Sequence, residues 1–178
     1  MQTVLIIVAA IIALPFIIAL FLPKEYIVER SIVVNAPKHE VFDYIKDIKN
    51  QDHYSKWVMT DPDMKKTFTG TDGAVGFIYA WNGNSKAGEG EHEITGIIDG
   101  ERLNSEVRFV RPFKNVGHLY MITEALTEHS TRVTWGMTGK SGYPLNLMTS
   151  LMKGALGKDL DVSLNNLKTI LENNNSKV

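Results

Sequence analysis

The 178-residue chain contains no cysteine, 44% hydrophobic residues and a formal net charge of -1. The absence of cysteine excludes disulfide bridges and thiolate metal sites, and the near-neutral charge provides no basic face for a nucleic acid. This length and composition fit one globular domain together with a short, unusually apolar segment.

The apolar segment comprises residues 3–22, TVLIIVAAIIALPFIIALFL, and carries no charge. Twenty residues of α-helix extend about 30 Å, the thickness of the hydrocarbon core of a bilayer. The segment is apolar on all sides, and membrane helices tolerate an internal proline such as Pro15. A cleaved signal peptide is the alternative, but no basic region precedes the segment and no small-x-small cleavage motif follows it. The sequence therefore predicts a retained transmembrane anchor over residues 1–23.

Basic residues flank this anchor on one side only. Two uncharged residues precede the apolar segment, whereas Lys24, Arg30 and Lys38 follow it. By the positive-inside rule, the domain over residues 24–178 is predicted to lie in the cytoplasm.

The chain after the anchor begins with a strand and two short helices. Residues 25–35, EYIVERSIVVN, are rich in β-branched residues and predict a strand. Residues 36–48 predict a helix, with Pro37 near its start and apolar residues at helical spacing. An irregular turn through NQDHYSKW then carries Trp57.

Six more strands and a long helix complete the chain. The strands are predicted in MKKTFTG, AVGFIYAWNG, GEGEHEITGIID, ERLNSEVRFV, VGHLYMITEAL and TRVTWGMTG. From Pro144 to Leu171 apolar side chains recur with a helical period, which indicates one amphipathic helix. Strands in succession followed by a helix predict an α+β fold, with a curved seven-stranded antiparallel sheet gripping the C-terminal helix. The space between sheet and helix is either filled by side chains or open to a ligand.

This arrangement resembles the START-like, or SRPBCC, helix-grip superfamily, and within it the polyketide cyclase/dehydrase and lipid-transport-like branch. The similarity extends over about residues 25–172. It rests on the segments ERSIVVNAPKHEVFDYIKD, DGAVGFIYAWNGN, GEGEHEI, TRVTWGM and GKDLDVSLNNLKTILE. The resemblance implies a cavity between the sheet and the C-terminal helix that takes a hydrophobic or amphipathic small molecule. It implies no invariant catalytic residues, because the superfamily includes carriers, binders and cyclases.

Alternation along the GEGEHEI strand separates three glutamates from a histidine. Glu89, Glu91 and Glu93 share one face, and His92 lies on the other. Three carboxylates are costly to bury unpaired, so we expect the glutamates in solvent and His92 inside the domain. A catalytic acid cluster is therefore the weaker hypothesis. His92 is either a core histidine with a local partner or a group that orients a ligand.

The same alternation selects further residues that face inward. Aromatic side chains in such a row are more often core than ligand contacts, but methionines on the long helix suit variable apolar ligands. The predicted ligand-binding residues are Trp57, Phe77, Tyr79, Trp81, His92, Phe109, Trp135, Met148 and Met152. On the sixth strand the more apolar face, which contains Leu119, is expected inside. A bulge there would instead bring His118 or Glu124 near His92 as an acid/base pair.

Three functions remain open at this point. The leading hypothesis is membrane-anchored binding of a hydrophobic small molecule or lipid, with no reaction, catalytic residue, metal, cofactor or nucleic acid. The second is a cyclase/dehydrase- or hydrolase-like enzyme that uses His92 with Tyr79 or another polar group of the pocket. The third is a tethered scaffold whose interior is filled by its own aromatic side chains.

Overall fold

The computed structural model describes residues 1–175, apart from the side chains of Val8, Asn174 and Asn175. The last three residues of the predicted domain, 176–178, lie outside the described residues. The helices are α1 (Gln2–Phe21), α2 (Lys38–Lys46), α3 (Gln51–Tyr54) and α4 (Asn146–Asn175), with 3-10 turns at Ile48–Asn50 and Val58–Thr60. The strands are β1 (Glu25–Val34), β2 (Lys65–Thr69), β3 (Ile78–Asn82), β4 (Glu89–Ile98), β5 (Arg102–Arg111), β6 (Asn115–Thr127) and β7 (Ser130–Lys140).

The seven strands form one open antiparallel sheet in the order β1-β7-β6-β5-β4-β3-β2. The six strands from β2 to β7 form a meander, and β1 joins the sheet beside β7. This arrangement confirms the predicted α+β fold with a seven-stranded sheet and a long C-terminal helix.

Side chains alternate between the two faces of the sheet, as the sequence predicted. On β7, Val133, Trp135 and Met137 are buried, while Arg132 faces solvent. On β6 the face that contains Leu119 is also buried, so no bulge brings His118 or Glu124 inside. The proposed acid/base pair of one of these residues with His92 therefore does not form.

Helix α4 packs on the sheet with only its C-terminal half. Leu160, Leu164 and Leu167 are fully buried in the main core, whereas Leu151 and Met152 in the N-terminal half are exposed. The apolar face of α4, which is continuous in the sequence, is therefore buried in the second half of the helix and exposed in the first half. The first half of the helix projects beyond the core that the second half helps to form.

The N-terminal helix α1 adjoins the start of α4. It is the one helix among the described residues that is long and apolar enough to cross a membrane. The side-chain amide of Asn146 donates hydrogen bonds to the carbonyl oxygens of Ala19, at 2.7 Å, and Leu22, at 3.0 Å. These bonds satisfy carbonyl groups that the end of a helix leaves without partners. Asn146 therefore connects the end of α1 to the beginning of α4.

Candidate ligand-binding cavity

A cavity of about 440 Å³ lies between the inner face of the sheet and the helical elements. Pockets for small molecules typically have volumes of about 300–1,000 Å³. Its lining includes Tyr26, Ile48, Gln51, Ser55, Trp57, Val58, Met64, Tyr79, Trp81, His92, Val107, Phe109, Arg111, Leu119, Trp135, Met137, Thr149, Met152 and Leu156. The cavity is therefore large enough for a small apolar molecule and is lined mainly by apolar and aromatic side chains.

Trp81 and Phe109 form one wall of the cavity. Their rings meet edge to face, with centroids 5.8 Å apart. The Trp81 ring lies over Gly90 of the neighbouring strand, where an added Cβ would come within 2.6 Å of the ring. The indole N–H of Trp81 donates to the carbonyl oxygen of Ala87 at 3.0 Å. Because this polar group is already bonded, the ring offers carbon atoms to a ligand.

Trp57 encloses a second side of the cavity. Its ring meets Trp135 edge to face at 5.8 Å, and its indole N–H donates to Asp159 Oδ2 of α4 at 3.2 Å. Asp159 also forms an ion pair with Lys56. The backbone N–H of Lys56 donates to Ser163 Oγ at 3.0 Å. These contacts hold the segment after α3 against α4 and fix the position of Trp57.

His92 is a buried polar group in this apolar wall, with 6% of its surface exposed. Its Nε2 lies 2.7 Å from Ser105 Oγ. The Ser105 hydroxyl has no other acceptor among the described residues, so we assign its proton to the bond with Nε2. Nδ1 then carries the imidazole proton. Nδ1 forms no hydrogen bond with the described residues, and because His92 lines the cavity we infer that this N–H is available to a ligand there.

Burial also fixes the charge of His92. Removal of the imidazole from water disfavours its protonated form and lowers its pKa to about 4. At neutral pH the ring is therefore uncharged. A neutral N–H donor in an apolar wall is suited to a carbonyl, hydroxyl or carboxylate oxygen of a ligand.

The second polar group is the Tyr79 hydroxyl, which is hydrogen-bonded to an aspartate of helix α3. Tyr79 donates to Asp52 Oδ1 at 2.8 Å, and Lys66 Nζ forms an ion pair with Asp52 Oδ2 at 2.7 Å. Burial, followed by the hydrogen bond to Asp52, raises the pKa of Tyr79. The hydroxyl therefore keeps its proton and can only accept a hydrogen bond from a ligand.

Charged side chains occur at the end of the cavity formed by the β3–β4 and β5–β6 connections. Arg111 Nε donates to Glu89 at 2.8 Å, and its Nη2 donates to Asn82 Oδ1 at 2.7 Å. Lys86 also lines this end and makes no ion pair within the described residues. Positive charge is therefore available where the cavity approaches the surface.

The glutamates of β4 lie outside the cavity, on the outer face of the sheet. Arg108 Nη1 donates to Glu93 at 2.7 Å, and Arg108 Nη2 donates to Glu91 at 3.1 Å. Glu89 pairs with Arg111. The strand alternation correctly predicted their position. None of the three glutamates is among the lining residues, although Glu89 pairs with Arg111 at the end of the cavity.

Seven of the nine predicted ligand-binding residues line the cavity: Trp57, Tyr79, Trp81, His92, Phe109, Trp135 and Met152. Phe77 is not among the lining residues, because it lies just before β3 and stacks on Phe68 with centroids 6.3 Å apart. Met148 is not among them either, and its side chain is exposed in the first turn of α4.

The sequence did not predict the lining residues that lie in and directly after the short helix α3. Gln51 and Ser55 are buried and line the cavity, and Ser55 Oγ has no hydrogen-bond partner among the described residues. Asp52, the partner of Tyr79, comes from the same segment. Helix α3 has only four residues, too few for a period to be recognised in the sequence. Inward orientation was indicated mainly by strand alternation and by the helical period of α4.

Comparison with known proteins identifies the family. The model of the family "Polyketide cyclase / dehydrase and lipid transport" matches residues 26–172. The chain therefore belongs to the polyketide cyclase/dehydrase and lipid transport family, which is the branch that the sequence resembles. No curated protein sequence matches the chain.

Solved structures share the fold at low sequence identity. A hypothetical protein from Helicobacter pylori has a TM-score of 0.62 at 12% identity, covering 82% of this chain and 88% of its own. A protein from Arthrobacter aurescens has a TM-score of 0.60 at 17% identity, covering 84% and 87%. A protein in the dynemicin biosynthetic locus has a TM-score of 0.58 at 14% identity, covering 82% and 47%. At these identities the similarity establishes the fold and carries no function.

Proposed function

We propose that this protein is anchored in a membrane by one helix and binds a hydrophobic small molecule or lipid in its cavity, without catalysing a reaction. The observation that carries the proposal is an apolar cavity of about 440 Å³ with one neutral imidazole in its wall. A few polar groups in an apolar pocket orient a ligand, while the apolar surface provides most of the binding free energy. The lipid transport named in the family's description is consistent with such a ligand.

The membrane anchor in this proposal is α1, and the domain it holds comprises residues 24–178. A site attached to a bilayer encounters lipid-soluble ligands at a high effective concentration. The basic residues that follow α1 favour a cytoplasmic position for the domain. Protease added to sealed membranes should then digest the domain only from the cytoplasmic side, and digestion from the opposite side would contradict this orientation.

The described residues of the cavity include no acid and base that hydrogen-bond to each other, which disfavours the enzyme hypothesis. Tyr79 hydrogen-bonds to Asp52 and His92 hydrogen-bonds to Ser105, so the two side chains do not activate each other. Ser105 is not among the lining residues, which places its hydroxyl behind the imidazole. Ser105 therefore orients His92 and does not itself face a substrate. The open volume likewise disfavours the scaffold hypothesis of a filled interior.

Binding can be measured by energy transfer, since all three tryptophans of the chain line the cavity. We expect cis-parinaric acid, a fluorescent fatty acid, to quench their emission saturably in the detergent-solubilised protein. Val107 lines the cavity, and Val107→Phe should weaken binding about tenfold, or ~1.4 kcal/mol, by filling part of the volume. Val110→Phe, on the exposed face of the same strand, is the matched control. Equal affinities for both variants and the wild type would contradict the proposal.

A further inference from the structure

The domain carries a group of uncovered apolar side chains at one end. Leu151 is 72% exposed and Phe113 is 70% exposed. Three further exposed apolar residues lie just before or in the first turns of α4, and we call the whole set the apolar rim: Phe113, Leu145, Met148, Leu151 and Met152. Single exposed apolar residues are common, but a group of them indicates an interaction surface.

Strand register places this rim at the end of the sheet where the anchor joins the domain. Strand β1 starts at Glu25, immediately after α1, and Glu25 pairs with Lys140 at the end of β7. The β5–β6 connection lies at the same end of the sheet. Asn115 at the start of β6 pairs with Phe109 near the end of β5, and Gly117 pairs with Gly139 near the end of β7. The segment that leads from β7 to α4 also starts there. Both parts of the rim thus lie at the end nearest to α1.

The hydrogen bonds of Asn146 hold the start of α4, and with it most of the apolar rim, close to the end of α1. Asn146 bonds to the carbonyl oxygens of Ala19 and Leu22 in the last residues of the apolar segment. Met152 is six residues further along α4, a rise of about 9 Å. The polar interface of a bilayer extends about 5–7 Å beyond the hydrocarbon core on each side. If α1 crosses the bilayer, the start of α4 must therefore lie in or beside this interface.

Basic side chains accompany the rim. Lys24 follows the anchor, Lys114 follows Phe113, and Lys153 follows Met152. None of these three lysines has an acidic partner among the described residues, and Glu25 and Glu89 at the same end are already paired with Lys140 and Arg111. Lysines beside an exposed apolar surface are typical of segments that bind the interface of anionic membranes.

We propose that the apolar rim inserts into the interface of the bilayer that α1 crosses, beside anionic lipid headgroups, and that the cavity opens against this bilayer. This inference rests on the membrane anchor of the proposed function but not on the occupancy of the cavity. Met152 belongs to both the rim and the cavity lining, and Pro112 of the lining adjoins Phe113. An apolar ligand can therefore pass between bilayer and cavity along Met152 and Phe113 without entering bulk water.

The absence of cysteine allows single probes to test this proposal in the full-length protein. Phe113→Cys and Leu151→Cys variants are labelled with the environment-sensitive fluorophore NBD. They are then reconstituted in nanodiscs of phosphatidylcholine with or without phosphatidylglycerol. Val75→Cys is the matched control, because Val75 is also an exposed apolar residue but lies in the β2–β3 connection at the opposite end of the sheet. Ile11→Cys in α1 reports separately on the anchor.

We expect lipids with doxyl quenchers to reduce the emission at positions 113 and 151 several-fold more than at 75, with the larger effect when phosphatidylglycerol is present. Quenching at 11 without quenching at 113 and 151 would overturn the proposal while leaving the anchor intact. Absence of quenching at 11 would instead refute the anchor and with it the proposal. Energy transfer between a label at the rim of one chain and a label on a second copy of the chain, without lipid quenching at the rim, would show that the rim is a contact between chains. This result would also overturn the proposal.

Discussion

His92 couples the stability of the folded protein to pH. Its pKa is about 4 in the folded state and 6.5 in the unfolded reference. Between these values the unfolded chain binds more protons than the folded one, so stability falls as pH decreases from about 6.5 to about 4. A difference of this size corresponds to about 3 kcal/mol of unfolding free energy.

Urea unfolding of the detergent-solubilised chain at several pH values measures this dependence. His92→Gln removes the titrating group and should flatten the slope between pH 4 and 6.5. His118→Gln is the control, because His118 is an exposed histidine whose removal leaves His92 unchanged. A wild-type slope that persists in the His92→Gln variant would show that other groups cause the pH dependence.

His92 should also discriminate between ligands by their polar group. With Nδ1 as an N–H donor on the cavity, His92→Leu should weaken binding of a long-chain fatty acid about tenfold, or ~1.4 kcal/mol. Binding of an alkane of the same length should change little, because it offers no acceptor. Calorimetric titration of both ligands into both proteins tests this difference. An unchanged affinity for the acid would remove His92 from the ligand contacts.

In the long helix α4, the sequence pattern predicts which residues share an apolar face but not which of them are buried. Leu151 and Leu164 both belong to the i, i+3, i+4 stripe of α4, yet one is exposed and the other is in the core. Periodicity identifies an apolar face but does not identify what covers it. Alternation succeeded on the strands, as for His92 and Glu91, because only one face of this sheet is covered by helices. It could not place Asp52 or Ser55, which lie in or directly after the four-residue helix α3.

The two halves of α4 should therefore respond differently to truncation. Leu164→Ala should lower the unfolding free energy by about 2–5 kcal/mol, because it leaves a cavity in the core. Leu151→Ala should change it by less than about 0.5 kcal/mol, since the side chain is exposed. Urea unfolding in detergent, followed by circular dichroism, provides both values. Equal losses would mean that the N-terminal half is packed as firmly as the C-terminal half.

In the proposed function, the membrane helix and the binding domain act together as one unit. Asn146 joins the end of α1 to the start of α4, and α4 in turn contributes Thr149, Met152 and Leu156 to the cavity. The length and apolarity of residues 3–22 predicted the helix, and the order of strands predicted the fold. The bonds of Asn146 could not be predicted, because they depend on the spatial meeting of segments more than 120 residues apart.

The proposed binding function requires a molecule in the cavity of the protein as it is isolated from membranes. Native mass spectrometry of the full chain, released from nanodiscs formed directly from cell membranes, separates the bare protein from protein with a bound molecule. We expect one bound molecule for each chain. All or part of this molecule should fit into the cavity of about 440 Å³, and it should carry an oxygen atom that can accept a hydrogen bond from His92. A folded protein that is consistently released with the mass of the bare chain, and takes up no lipid when one is added, would be incompatible with the proposed binding function.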